Sequence, residues 1–171
     1  MKKITGMIVF CIVLFIGATL YMFVQAAPAY ALTIENRETG ERLWGKPIDE
    51  GEWFHHEYIH SVEKSKVIEK FKLGPDGQML VMESWTRSFG AGLPYEHQGD
   101  VERIDGYYVM KNIQEPLEEL TMLPSHLELH TFHFQEEEVV LSEEPFRRTI
   151  ITIGVSPQTV FERLTRSLLI P

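Results

Sequence analysis

Val67-Ile68-Glu69-Lys70-Phe71-Lys72-Leu73-Gly74-Pro75-Asp76-Gly77-Gln78-Met79-Leu80-Val81-Met82-Glu83-Ser84-Trp85 reads as two strands about a turn. Val67, Phe71 and Leu73 fall on alternating positions, while Ile68 belongs to the other face. Side chains alternate across a strand with a period of two, so this spacing buries one face and wets the other. Gly74-Pro75-Asp76-Gly77 interrupts the run with turn chemistry: proline presets φ, and Asp and Gly tolerate left-handed backbone. The apolar pattern then resumes at Met79. The unit is a β-hairpin.

The same grammar extends outward. Val101 to Ile104, Asp105-Gly106 and Tyr107 to Ile113 form a second hairpin. Upstream, Leu32-Thr33-Ile34 opens a strand, Asn36 to Gly40 is a turn, and Leu43-Trp44 leads into Lys46-Pro47-Ile48. Asp49-Glu50-Gly51 breaks the pattern, and Trp53 to Val62 reads as one long strand rich in aromatic and β-branched residues. Leu117, Leu120 and Leu123 permit a short helix between Pro116 and Pro124, but so short a helix is marginal, and an extended segment is expected. Leu127 to Phe134, Val139 to Leu141 and Arg148 to Val155 complete the pattern. Near the end, Ser156 suits an N-cap and Pro157 a first helical position, and Val160, Phe161, Leu164 and Leu168 share a helical face. The expected fold is mainly β: a single sandwich or barrel-like antiparallel domain of about eight to ten strands, closed by a C-terminal helix.

An N-terminal signal or transmembrane helix precedes this domain. Lys2 and Lys3 stand before an apolar run from Ile4 to Val24, followed by Ala29-Tyr30-Ala31, a small-x-small ending. That pattern is an export signal, and its apolar run is also long enough for a retained anchor at roughly 20 residues per bilayer crossing. Residues 1–31 are therefore a signal peptide or membrane anchor, and 32–171 an extracytoplasmic β domain. The only cysteine, Cys11, lies within the apolar run, so the domain has no disulfide, thiol nucleophile or thiolate metal site. Twenty-five acidic residues against 16 basic ones give a net charge of −9, which repels phosphate backbones and excludes nucleic acid as a partner.

Some residues invite chemical readings. His60 and Ser61, adjacent in a strand, would point to opposite faces and form no catalytic dyad, and no Gly-x-Ser-x-Gly elbow is present. Tyr58 and His60 would share one face, with Glu69 approaching from the next strand, as a ligand site or a buried polar network fixing register. Seven histidines raise the question of metal. His56 with His60, and His126 with His130, are too far apart along a strand for one ion. His55 with Glu57, or His126 with Glu128, offers two ligands from one face and needs a third from elsewhere; His97 lies near Glu96 and Asp100. With no H-E-x-x-H or other zinc spacing, no metal or cofactor is expected, and the histidines read as surface strand residues. Gly90-Ala91-Gly92 after Arg87 is either a tight turn or a nest of amides for an anion.

Tyr58-x-His60-Ser61-Val62, Val67-Ile68-Glu69 and Gly90-Ala91-Gly92 together resemble a family of small exported bacterial proteins known as a domain of unknown function. Lys66 stands where that pattern has proline. The resemblance covers roughly residues 32–155 and implies a genomic neighbourhood beside TRAP-type transporters, especially those with a TAXI-type solute-binding protein. The expectation is a non-enzymatic accessory or binding module with TRAP-type transporter subunits as partners, contacting the membrane through residues 4–24 if these are retained. Its contact loop is Phe89, Gly90, Ala91, Gly92, Leu93 and Pro94, and its polar network Tyr58, His60, Ser61, Glu69 and Arg87. The alternatives are a stand-alone β-barrel binding a small organic acid through Tyr58, His60, Glu69 and Arg87, and a metal-dependent enzyme.

Overall fold

The Val67–Trp85 hairpin forms where its sequence places it. The structure is a computed structural model describing residues 2–26, 29–88 and 100–167. In chain order it contains α1 (Lys2–Ala26), β1 (Tyr30–Asn36), β2 (Arg42–Ile48), β3 (Trp53–Ile59), β4 (Lys66–Leu73) and β5 (Met79–Thr86). There follow β6 (Asp100–Ile104), β7 (Tyr107–Lys111), β8 (Glu115–Leu117), β9 (Glu119–Met122), β10 (His130–Phe134), β11 (Glu137–Val140), β12 (Ile151–Pro157) and α2 (Val160–Ser167). Within the β4–β5 turn, Asp76 and Gly77 take φ of 60° and 77°. A Cβ on Gly77 would fall 2.2 Å from the ring of Tyr30, so the site requires glycine for backbone and for space.

The strands build two antiparallel sheets in a sandwich. One runs β2-β1-β12-β9; the other runs β11-β10-β3-β4-β5-β7-β6, with β8 also pairing β5. Alternating residues of both sheets meet in one apolar cluster: Leu32, Ile34, Ile151 and Ile153 from the smaller, Phe54, Phe71, Phe132 and Phe134 from the larger. Each such side chain contributes roughly 1.5–3 kcal/mol when withdrawn from water, so this layer carries the fold without a disulfide. Trp44 of β2 packs edge-on to Phe132 at 5.3 Å and donates its indole N–H to Glu137 at 3.0 Å, linking one sheet to the other.

Several boundaries differ from the sequence expectation. The strand expected to reach Val62 stops at Ile59. His60 and Ser65 close a turn in which the Lys64 amide donates to the His60 carbonyl at 2.8 Å and the His60 amide to Ser65 at 2.9 Å. The strand expected from Leu127 starts at His130, because the Ser125 hydroxyl accepts the amides of Leu127 and Glu128 and holds a turn there. Residues 116–124 are extended, as β8 and β9, and these short strands raise the total among the described residues to twelve. Ser156 and Pro157 are not a helix cap: they end β12, paired with Ala31 and Tyr30. Thr159 caps α2 instead, its hydroxyl accepting the Glu162 amide at 3.2 Å while Glu162 accepts the Thr159 amide at 2.8 Å, a reciprocal box. This helix lies beside α1 with Val160 and Phe161 exposed; the Leu164 side chain and Leu168, also expected on its apolar face, lie outside the described residues. On α1 the described side chains are exposed, Cys11 included; among the described residues no helix is long and apolar enough to cross a membrane.

Candidate functional site

Strands β3, β4 and β10 are adjacent, and their register decides what meets. Phe134, Phe132 and His130 stand opposite Phe54, His56 and Tyr58; Phe71, Glu69 and Val67 stand opposite the same three from the other side. Because Phe54, Phe71, Phe132 and Phe134 face the sandwich core, His56, Tyr58, His130 and Glu69 share that inner face by alternation. The apolar cluster shared by the sheets ends at the phenylalanines, and a polar aromatic patch replaces it toward the end of the sheet where β3 stops.

That patch is a stack. Tyr58 and His130 lie parallel at 5.5 Å and 12°, and His56 packs against both, at 5.1 Å from Tyr58 and 5.4 Å from His130. His56 Nε2 and His130 Nδ1 are 3.3 Å apart, a bond that needs one protonated and one free nitrogen. His56 is only 3 % exposed, and its Nδ1 has no hydrogen-bond partner, with Glu69 Oε2 at 3.9 Å. Burial, reinforced by His56, holds His130 down at about 4, so its imidazole is neutral at pH 7. Burial, then the Glu69 charge, pushes the Tyr58 hydroxyl up to about 12, so it remains a donor. The Glu69 side chain keeps 34 % exposure, which opens the patch to the outside. A neutral imidazole, a phenol and a carboxylate over a flat aromatic stack suit a planar polar group or a complementary side chain.

The opposite face of these strands is different. His55 of β3 and His133 of β10 are direct cross-strand partners, their rings stacked at 4.3 Å and 7°. Glu57 Oε1 is 3.6 Å from His55 Nε2, and Glu57 Oε2 accepts Lys66 Nζ at 2.6 Å. Burial, then the neighbouring His133, lowers the basicity of His55. Burial pushes the Glu57 carboxyl up, but the hydrogen bond and charge of Lys66, with the neighbouring histidines, outweigh it and leave the pKa lowered. Lys70–Glu83 at 2.9 Å and Lys111–Glu102 at 2.8 Å continue the ionic ladder.

The expected network divides across these environments. Tyr58 and Glu69 come together on the inner face. His60 lies beyond the strand end, its Nδ1 accepting the Glu63 amide at 3.2 Å, and Ser61 is exposed in the same turn; His60 does not share Tyr58's strand face because the strand has ended. Arg87 is exposed and packs 4.8 Å over the ring of Tyr107, away from Glu69. The contact loop Phe89–Pro94, with Glu96 and His97, lies outside the described residues. Two open clefts of about 420 and 510 Å³ flank the β4–β5 hairpin and include none of the network residues. His56 and His130 carry the inner site although both read as surface histidines. Alternation with Phe54 and Phe132 was the signal that places them inward.

No curated protein and no solved structure matches the chain. Residues 54–141, more than half of it, match the family described as Domain of unknown function (DUF1850). That stretch runs from the second residue of β3 past the end of β11, and holds both histidine clusters. The chain belongs to this family of domains of unknown function.

Proposed function

We propose that this chain is a non-enzymatic binding module on the outer side of the cytoplasmic membrane, acting as an accessory to a TRAP-type transporter. The observation that carries a binding role is the half-covered inner patch of Tyr58, His56, His130 and Glu69, where polar groups sit on the large sheet past the end of its core. The resemblance of the Tyr58–Val62, Val67–Glu69 and Gly90–Gly92 motifs supports the transporter as partner. The basic start and the apolar run from Ile4 to Val24 support attachment through that end. Strand β3 ends at the same end of the sheet as β5, beside the patch.

The test is photo-crosslinking of the full-length protein in its native membrane from position 58, with position 102 on the opposite face as control. Capture of transporter subunits from position 58 alone supports the proposal. Capture from neither position, or equally from both, overturns it.

A further inference from the structure

We propose that His55, Glu57 and His133 form a site for one divalent transition-metal ion of the zinc class on the outer face of the large sheet. One donor atom from each of the three lies within 4.8 Å of the others. Zinc holds imidazole nitrogen and carboxylate oxygen at about 2.0–2.2 Å, which places tetrahedral ligands about 3.3 Å from one another. Closing the gap needs side-chain torsion only: the stacked imidazoles splay at their donor edges and the Glu57 carboxylate swings toward them. The backbone is already correct, because the β3–β10 register sets His55 directly beside His133 and alternation returns Glu57 to the same face.

The second observation is an orphaned atom. His133 Nε2 is buried without a hydrogen-bond partner, while Nδ1 of the same ring faces Glu138 Oε2 at 3.9 Å. A small turn of the Glu138 side chain would bring its carboxylate onto Nδ1, and a carboxylate on one ring nitrogen with the other left for the ion is the arrangement that orients metal-bound histidines. Buried nitrogens seldom go unpaired, and an ion here would satisfy this one. Lys66 takes Glu57 Oε2 and leaves Oε1, the oxygen nearer His55. Lys70 is occupied by Glu83 and by the face of Trp85 at 4.4 Å. Three protein donors leave a fourth position for water or for a ligand atom of a partner.

Full-length protein in detergent, stripped with chelator, is titrated with Zn²⁺ against a chromophoric competitor. One ion per chain is expected. His55→Gln, Glu57→Gln and His133→Gln should each weaken binding at least tenfold, and Glu138→Gln about tenfold, as loss of an orienting partner does. His130→Gln and exposed His126→Gln should leave it unchanged. X-ray absorption of the wild-type zinc complex, which needs no variant to fold, should show two imidazoles in the first shell. Absence of stoichiometric binding, affinity indifferent to His55→Gln and His133→Gln, or a first shell without imidazole overturns the site. Loss of binding in His130→Gln with retention in His133→Gln also overturns it, by moving the ion to the inner face.

Discussion

Lowering the pH should strain the inner stack through His130. The ring is held at about 4 in the folded protein against an ordinary 6.5, chiefly by burial and next by His56. Between those values the unfolded chain binds the proton and the folded one does not, so stability falls as pH falls. The contribution is complete above about pH 6.5 and lost by about pH 4. A shift of this size corresponds to about 3 kcal/mol at most, at 1.36 kcal/mol per pH unit. The ring is only partly buried, so solvent screening brings the expected loss to about 1–2 kcal/mol. Urea unfolding of the full-length protein in detergent, compared at pH 7 and pH 4.5 for wild type and His130→Gln, isolates the effect. The variant cannot take up this proton, so its stability should decline less than wild type by that amount. Parallel decline of the two proteins would refute the reasoning, since titration of His55 and the carboxylates is common to both.

Two further perturbations test the packing. Gly77→Ala forces a side chain into backbone at φ 77° and against Tyr30, and should destabilise by at least about 1–2 kcal/mol in urea unfolding, whereas Gly106→Ala, at φ 81° with open space around it, should cost only the backbone strain. Thr159→Ala removes the reciprocal cap of α2 and should weaken that helix by about 1 kcal/mol, read as faster amide exchange at Glu162 and Arg163 with no change in the sheets.

Much of the architecture was legible because it is local. Asp76-Gly77 and Asp105-Gly106 adopt positive φ in their turns, and the alternation about each appears as paired strands. Trp53 through Ile59 formed a strand as its composition indicates, but the strand's end was decided by hydrogen bonds to Ser65 and Lys64, which no residue-by-residue propensity contains. At the C-terminus, Ser156-Pro157 carried a good helix-start pattern, and pairing with β1 overrode it. Ladder bonds to a neighbouring strand outweigh a local cap whenever the neighbour is in place.

The candidate sites divide along the same line. From the sequence alone, His55 and Glu57 share one strand face and His56 and Tyr58 the other, since a strand's period of two is a property of the chain itself. Which partner each face meets is a matter of register between segments far apart in sequence. Only the tertiary structure decided that His133 stacks on His55, that His130 stacks on Tyr58, and that Arg87 stands apart from Glu69. The physical reason is that register is set by burying Phe54, Phe71, Phe132 and Phe134 on one side, and a slip of a single residue would turn every one of them, and every histidine beside them, to the opposite face.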